Sequence, residues 1–516
     1  MSRWFNVAGP CRAEDNYMLS AGSRLPQLVR LIQQKLYFVL HAPRQTGKTT
    51  AMLTLAQELT AQGRYAAALV SMEVGAAFRD DLGAAEDAIL SAWRNSIRHR
   101  LPAQLQPPPW PVAPPGTRIL YALQAWAQAS ERPVVLFLDE IDSLRDDILI
   151  SVLRQIRTGY TDRPTGFPWS IGLIGMRDVR DYKVASGGSE RLNTASPFNI
   201  KVESLTLSNF TATDVTELYA QHTADTGQVF TPAACAQAFE LTQGQPWLVN
   251  ALARQATEVS APDPALPITP MIIDAAKELL IQRQDTHLDS LAERLREERV
   301  RRVIEPILAG QALENVQPDD IRFVIDLGLC RMVNGSGLDI ANPIYREVLP
   351  RVLAGTTIAS LPAISPTWLT TEGRLDTACL LEAFLAFWKQ HGQPLLGSAP
   401  YHEIAPHLVL MAFLHRVVNG GGTIDREYAI GRERMDLCVR YGEVRLAIEI
   451  KTWRDTKGDP LTDGLKQLDG YLSGLGLDTG WLIIFDQRTG LPPSADRTTV
   501  ESAQTPHGRT VAVIRG

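Results

Sequence analysis

A chain of 516 residues exceeds what one hydrophobic core organises, so roughly three or four packed units are expected. Its 51 Lys and Arg against 57 Asp and Glu leave a formal charge of -6, which excludes a whole-molecule basic field and makes any nucleic-acid surface local. Five scattered cysteines without a Cys-x-x-Cys pair, no charged and apolar leader after Met1, and no run of about 18 uncharged apolar residues exclude a disulfide scaffold, a zinc ribbon and a membrane span. The expectation is a reduced, cytoplasmic protein with no membrane partner.

From residue 36, short apolar runs alternate with helical stretches, the trace of an α/β parallel sheet with crossover helices. The runs are LYFVLHA (36–42), AAALVSME (66–73), VVLFLDE (134–140), WSIGLIG (169–175) and FNIKVESL (198–205). After the first comes APRQTGKT, then the helical TTAMLTLAQELTAQG. A triphosphate is best held by successive backbone N–H groups at a helix N-terminus, and Pro43, Arg44, Gln45, Thr46 and Gly47 supply such a loop, with Thr50 just inside the helix. Lys48 can reach the β- and γ-phosphates there, and the Thr49 hydroxyl can bind Mg²⁺. Ala42 stands where the strict P-loop pattern has its first glycine.

About ninety residues on, Asp139 is placed to hold Mg²⁺ and Glu140 to polarise an attacking water; the plain alternative is a solvated strand end. Arg177 follows the fourth run and would emerge at the same sheet edge to sense the γ-phosphate, or else pair with Asp178 or Asp181. The proline-rich LPAQLQPPPWPVAPPG (101–116) reads as a surface loop, with a ligand for a proline-recognising domain as the alternative.

After Leu207 consecutive amphipathic helices predict a helical lid (207–285) on the first unit (1–206). Residues 286–355 read as helices closed by a small hairpin, a winged-helix outline, and the Pro, Ser and Thr-rich stretch 356–375 as a linker. The last unit, 376–516, reads as helix, helix, three strands, helix and strand. Asp436 lies on one predicted strand and Glu449 on the next, so their carboxylates can share a divalent ion. Lys451, two residues after Glu449, points to the same face and would orient water or stabilise a pentavalent phosphate. The alternative is a Glu-Lys pair on an exposed edge strand. His402, His407 and His415 share a predicted helix without a His-x-x-x-His pair, so they read as core or surface residues rather than metal ligands.

Together YFVLHAPRQTGKTT, FLDEID, GMRD and TQGQPWLVN resemble the AAA-like ATPases close to the STAND group. This likeness covers residues 1 to about 355. It implies ATP and Mg²⁺ as cofactors, a sensor role for Arg177, a Gly244-Gln245-Pro246 turn packed near the adenine, and an adenine contact from the segment Phe5 to Arg24, including Tyr17. Residues 376 to about 490 resemble the PD-(D/E)XK nuclease superfamily, with Asp436 and Glu449 binding metal and Lys451 assisting. That resemblance implies a completing role for Gln467 with Tyr471, and an additional acid at Glu403. Arg432 and Arg434 flank the site as candidate phosphate contacts. The combined expectation is an ATP-controlled, Mg²⁺-dependent nuclease acting on nucleic acid, with DNA favoured, in a homo-oligomer. The alternative is a nucleotide switch or scaffold whose last domain binds nucleic acid without cutting it.

Overall fold

The structure is a computed structural model that describes residues 3–20, 24–78, 81–144, 146–176, 201–283, 293–308, 313, 316–333, 337–350, 366–398, 405–418, 422–430, 433–455 and 458–516, with only the backbone at some of these, including 433–436. The chain divides into two compact units, residues 1–283 with 322–330 and residues 284–321 with 331–516.

In the first unit, α1 (Pro26–Gln33) leads into β1 (Tyr37–His41), the loop, and α2 (Lys48–Ala61). There follow β2 (Ala66–Ser71), α3 (Leu82–Arg100), α4 (Arg118–Ala129), β3 (Val134–Asp139), α5 (Asp146–Gly159), β4 (Ser170–Gly175) and β5 (Lys201–Thr206). The five strands are parallel in the order β2-β3-β4-β1-β5, and each falls within a residue or a few of its predicted run. Their near-continuous apolar sequences follow from burial on both faces. Alternate residues feed two cores: Val39, Val70, Leu136 and Leu173 pack with α3, α4 and α5, whereas Phe38, Leu69, Phe137 and Ile174 pack with α1 and α2. Gly172 makes this possible, because a Cβ there would lie 2.7 Å from the Phe38 ring.

The proline-rich stretch is a loop, tied down by the Trp110 indole donating to Leu90 O at 2.9 Å and by the Gly116 N–H donating to fully buried Glu86 at 2.8 Å. The segment expected as a lid contains α6 (Ala212–Thr226), α7 (Pro232–Thr242), α8 (Pro246–Gln255) and α9 (Pro270–Arg283). Thr211 and Asp214 form a reciprocal capping box on α6, and Thr231 caps α7. Phe5 and Tyr17 from the N-terminal segment join the lid core beside Tyr219 and Phe230.

The expected winged-helix segment contains α10 (Glu298–Leu308), α11 (Pro318–Asp326), the hairpin β6 (Cys330–Val333) and β7 (Gly337–Ile340), and a helix at 343–350. Its residues 322–330 cluster with the first unit: Gly328 sits at φ +75° against Pro43, where a Cβ would lie 2.7 Å away. Residues 351–365 lie outside the description, but Trp368 and Leu375 are core residues, with Trp368 edge-on to Phe413, because a large apolar ring is better buried than left on a tether.

The second unit continues with α12 (Thr377–Ser398), α13 (Ala405–Val418), β8 (Gly422–Ile430), β9 (Glu433–Tyr441), β10 (Val444–Trp453), α14 (Leu461–Leu475) and β11 (Trp481–Asp486). Strands β8, β9 and β10 form an antiparallel meander, and α14 crosses over so that β11 runs parallel to β10. The sequence reading missed β12 (Thr499–Gln504) and β13 (Thr510–Arg515), which extend the sheet to the order β12-β13-β11-β10-β9-β8. Both are short, and β12 is largely exposed, so its composition carries no apolar alternation. Leu437, Val439, Ile448 and Ile450 face the α12 and α13 side; Cys438 and Ala447 face α14 with Leu468, Tyr471 and Leu472.

Candidate functional site

The loop between β1 and α2 needs two left-handed residues. Gln45 has φ 60° and Gly47, the residue capping α2, has φ 84°. Ala42 has no such requirement: it is buried, with its N–H donating to Gly175 O, so an alanine replaces the usual glycine without strain. The Thr46 hydroxyl donates to Pro43 O at 2.9 Å, and Arg24 donates to Thr46 O at 3.1 Å and to Ser208 O at 2.6 Å. Burial lowers the Arg24 guanidinium to a pKa of about 10. The Lys48 ammonium donates to Ala42 O and Pro43 O, both at 2.7 Å. Loss of hydration pushes its pKa down to about 8, against the pull of Asp142 and Asp139.

At the carboxyl edge of the sheet, the Thr49 hydroxyl donates to Asp139 Oδ2 at 2.7 Å. A hydroxyl and a buried carboxylate in contact are hard oxygen donors of the kind Mg²⁺ accepts, so these residues fit that ion. Burial raises the Asp139 pKa, with the Thr49 hydroxyl bond opposing. Glu140 is exposed and held at φ 56°, a conformation costly for a non-glycine residue and common at functional sites. Its Oε2 accepts from the Ser71 hydroxyl at 2.8 Å. Partial loss of hydration around its carboxyl, with the neighbouring Glu73 and Asp139, raises its pKa, the Ser71 bond opposing. Sequence reasoning missed Ser71; the signal was its place as the last residue of β2, in register with Asp139.

A cavity of about 300 Å³ opens over this loop, lined by Gly47, Lys48, Thr49 and Thr50, by the N-terminal segment including Tyr17, and by Pro246 and Asn250 of α8. The N-terminal segment is fastened on both sides: Cys11 N donates to Thr50 Oγ1 at 3.1 Å, and the Trp247 indole donates to Val7 O at 2.8 Å. Pro246 and Tyr17 therefore border the cavity, and Gln45 is linked to the lid through Gln245 Nε2 at 3.5 Å. Arg44 is exposed. Arg177 lies outside the described residues.

In the second unit, β10 is an interior strand and Glu449 is 2 % exposed, so the alternative of an exposed edge pair does not hold. Lys451 Nζ lies 2.6 Å from Glu449 Oε1. Strands β9 and β10 pair antiparallel in a register that sets Leu437 beside Ile448, and Asp436 is the residue before Leu437 on β9. By alternation along β10, Glu449 and Lys451 occupy the α14 face, since Ala447 does. The Asp436 and Arg434 side chains, Arg432 and Glu403 are outside the description. Tyr471 is buried against this face, and Gln467, one helical turn earlier, is exposed. His407 and His415 lie on α13, and among the described residues no group of three His, Cys, Asp or Glu side chains is arranged to hold a metal.

The parallel sheet, with its Gly47-Lys48-Thr49 turn after β1 and Asp139 ending β3, has the architecture of a P-loop NTPase core. No family model matches the chain, and no curated protein does. Among solved structures it is similar to the Walker-type ATPase PABY2304 of Pyrococcus abyssi, at 12 % identity and a TM-score of 0.47 over 67 % of this chain and 99 % of that one. It is similar also to the RuvB Holliday junction branch migration motor of Thermotoga maritima, at 16 % identity and a TM-score of 0.34 over 64 % and 93 %. The Aeropyrum pernix ORC2 protein shares 15 % identity at a TM-score of 0.37 over 66 % and 93 %. Among the described residues no helix is long and apolar enough to cross a membrane.

Proposed function

We propose that this protein binds and hydrolyses ATP with Mg²⁺ in its first unit and uses that cycle to control a Mg²⁺-dependent nuclease in its second, acting on DNA. In the first unit Lys48 and the loop N–H groups hold the phosphates, Thr49 and Asp139 hold the ion, and Glu140 polarises the attacking water once Ser71 releases it. Arg177 is the proposed γ-phosphate sensor. In the second, Asp436 and Glu449 hold the ion and Lys451 steadies the phosphate, with Gln467 and Glu403 completing the site. The bound ion supplies charge neutralisation at the scissile phosphate and a more acidic water.

One observation carries the nuclease half: Glu449, buried in an interior strand and paired with Lys451, on the strand beside the one that carries Asp436. Burying such a pair gives no net advantage over apolar residues of similar volume, so stability alone does not account for it. The test is Mg²⁺-dependent cleavage of linear, circular and branched DNA, with and without ATP. Asp436→Ala is expected to abolish cutting while ATP hydrolysis continues; residual cutting by that variant removes the nuclease assignment. Lys48→Ala is expected to lower ATP turnover about a hundredfold or more, and unchanged turnover removes the ATPase assignment.

A further inference from the structure

The proline-rich loop, which the proposed activities do not use, is fastened to the first unit at both ends. Gln106 Nε2 donates to Leu101 O at 2.8 Å, and the Trp110 indole to Leu90 O at 2.9 Å. On the far side Arg118 donates to Ala113 O at 3.0 Å and to Gly83 O at 2.7 Å, and the Thr117 hydroxyl donates to Pro114 O at 2.8 Å. Fully buried Glu86 accepts from the Gly116 N–H through one oxygen and from Gln155 Nε2, at 2.6 Å, through the other. A buried carboxylate is costly unless its oxygens are met, and one of the two bonds that meet this one holds the end of the loop.

Between these fastenings, residues 110–114 form neither helix nor strand, and their sequence dictates what they form instead. The rings of Pro111 and Pro114 lock φ near about −65°, and each proline pushes the residue before it out of the helical region, so Val112 alone is unconstrained. The outcome is extended polyproline conformation, with three residues per turn. Exposure follows that period: Trp110 and Ala113 are half-buried, whereas Pro111 with Pro114, and Val112 with Pro115, stand exposed, Val112 completely. A three-sided rod thus lays one edge on the protein and turns two apolar edges to solvent. Such edges are what the aromatic-lined grooves of proline-recognising domains grip. We infer that Pro111-Val112-Ala113-Pro114 is a docking ligand for a partner protein that carries such a groove. The partner is a different protein and not a second copy: among the described residues only Trp4 and Tyr121 are exposed aromatics, too few to line one. Because the chain already holds the rod in its bound shape, docking sacrifices little conformational freedom.

The experiment titrates purified SH3, WW and EVH1 domains, as probes with aromatic-lined grooves, into the full chain and into its Pro111→Ala/Pro114→Ala variant, with a synthetic peptide of residues 106–117 as a third ligand. At least one domain should bind the full chain saturably and more tightly than it binds the peptide, which must first be ordered. The double substitution should weaken that binding about tenfold or more, while the protein stays folded at the assay temperature, since both rings stand in solvent. Failure of every domain to bind the full chain, tighter binding to the peptide, or binding that the double variant retains overturns the inference. Self-association of the full chain that the double variant loses gives the surface to a second copy and overturns it too.

Discussion

The partly buried ammonium of Lys48 makes nucleotide binding a proton-coupled event. Burial at the base of the loop depresses its pKa from 10.5 to about 8 despite two acceptor carbonyls and the nearby Asp142 and Asp139. In the ligand-free protein the amine is then deprotonated in about one tenth of molecules at pH 7, half at pH 8 and nine tenths at pH 9. Triphosphate oxygens beside it favour the charged form and lift its pKa again. Binding should therefore take up about half a proton at pH 8 and about 0.9 at pH 9, and affinity should fall about tenfold per pH unit above pH 8. Isothermal titration calorimetry in two buffers of different ionisation enthalpy reads the uptake directly, with Lys48→Ala as the variant that should show none of this component. Proton uptake near zero at pH 9, with affinity flat from pH 7.5 to 9.5, would refute the reasoning. The same shift fixes a sign for stability: the unfolded chain keeps the proton that the folded one releases, so ligand-free stability gains from Lys48 as pH rises from about 8 toward 10.5 and loses that gain as pH falls through 8.

Two further substitutions probe what positions the sites. Gly244 has φ +70°, and a Cβ on it would lie 1.8 Å from Phe210 O, so Gly244→Ala should destabilise the lid by about 3 kcal/mol or more through strain and collision, read as a lowered melting temperature with weakened nucleotide binding. Asp469 on α14 is buried, which alone would raise its pKa, but donors from His507, Thr505 and Arg509 outweigh burial and hold it at about 2. Asp469→Ala should cost about 2–3 kcal/mol by unfastening α14 from the β12–β13 turn; its deficit, measured by urea unfolding, should be full above pH 4 and shrink as pH falls through 2.

Local chemistry was readable wherever one short segment does the work. The APRQTGKT turn, the apolar runs that became five buried strands, and the acid pair ending β3 each have their cause within a few residues: backbone N–H groups in series, and apolar side chains needing burial on two faces. That Glu449 and Lys451 share one face of β10 likewise required only strand alternation. Tertiary structure decided what depends on distant partners. Glu449 is interior because β11, with β13 beyond it, lies on the far side of β10; the sequence offers β11 as a strand but not the side of β10 on which it pairs. Ser71 meets Glu140 across a strand register, and Tyr17 and Asn250 border one cavity although 233 residues separate them, because Phe5 and Tyr17 bury their rings in the lid core rather than on the sheet. Periodicity reports which side of a segment is apolar; which apolar surface it finds is settled only when distant segments compete for the same burial.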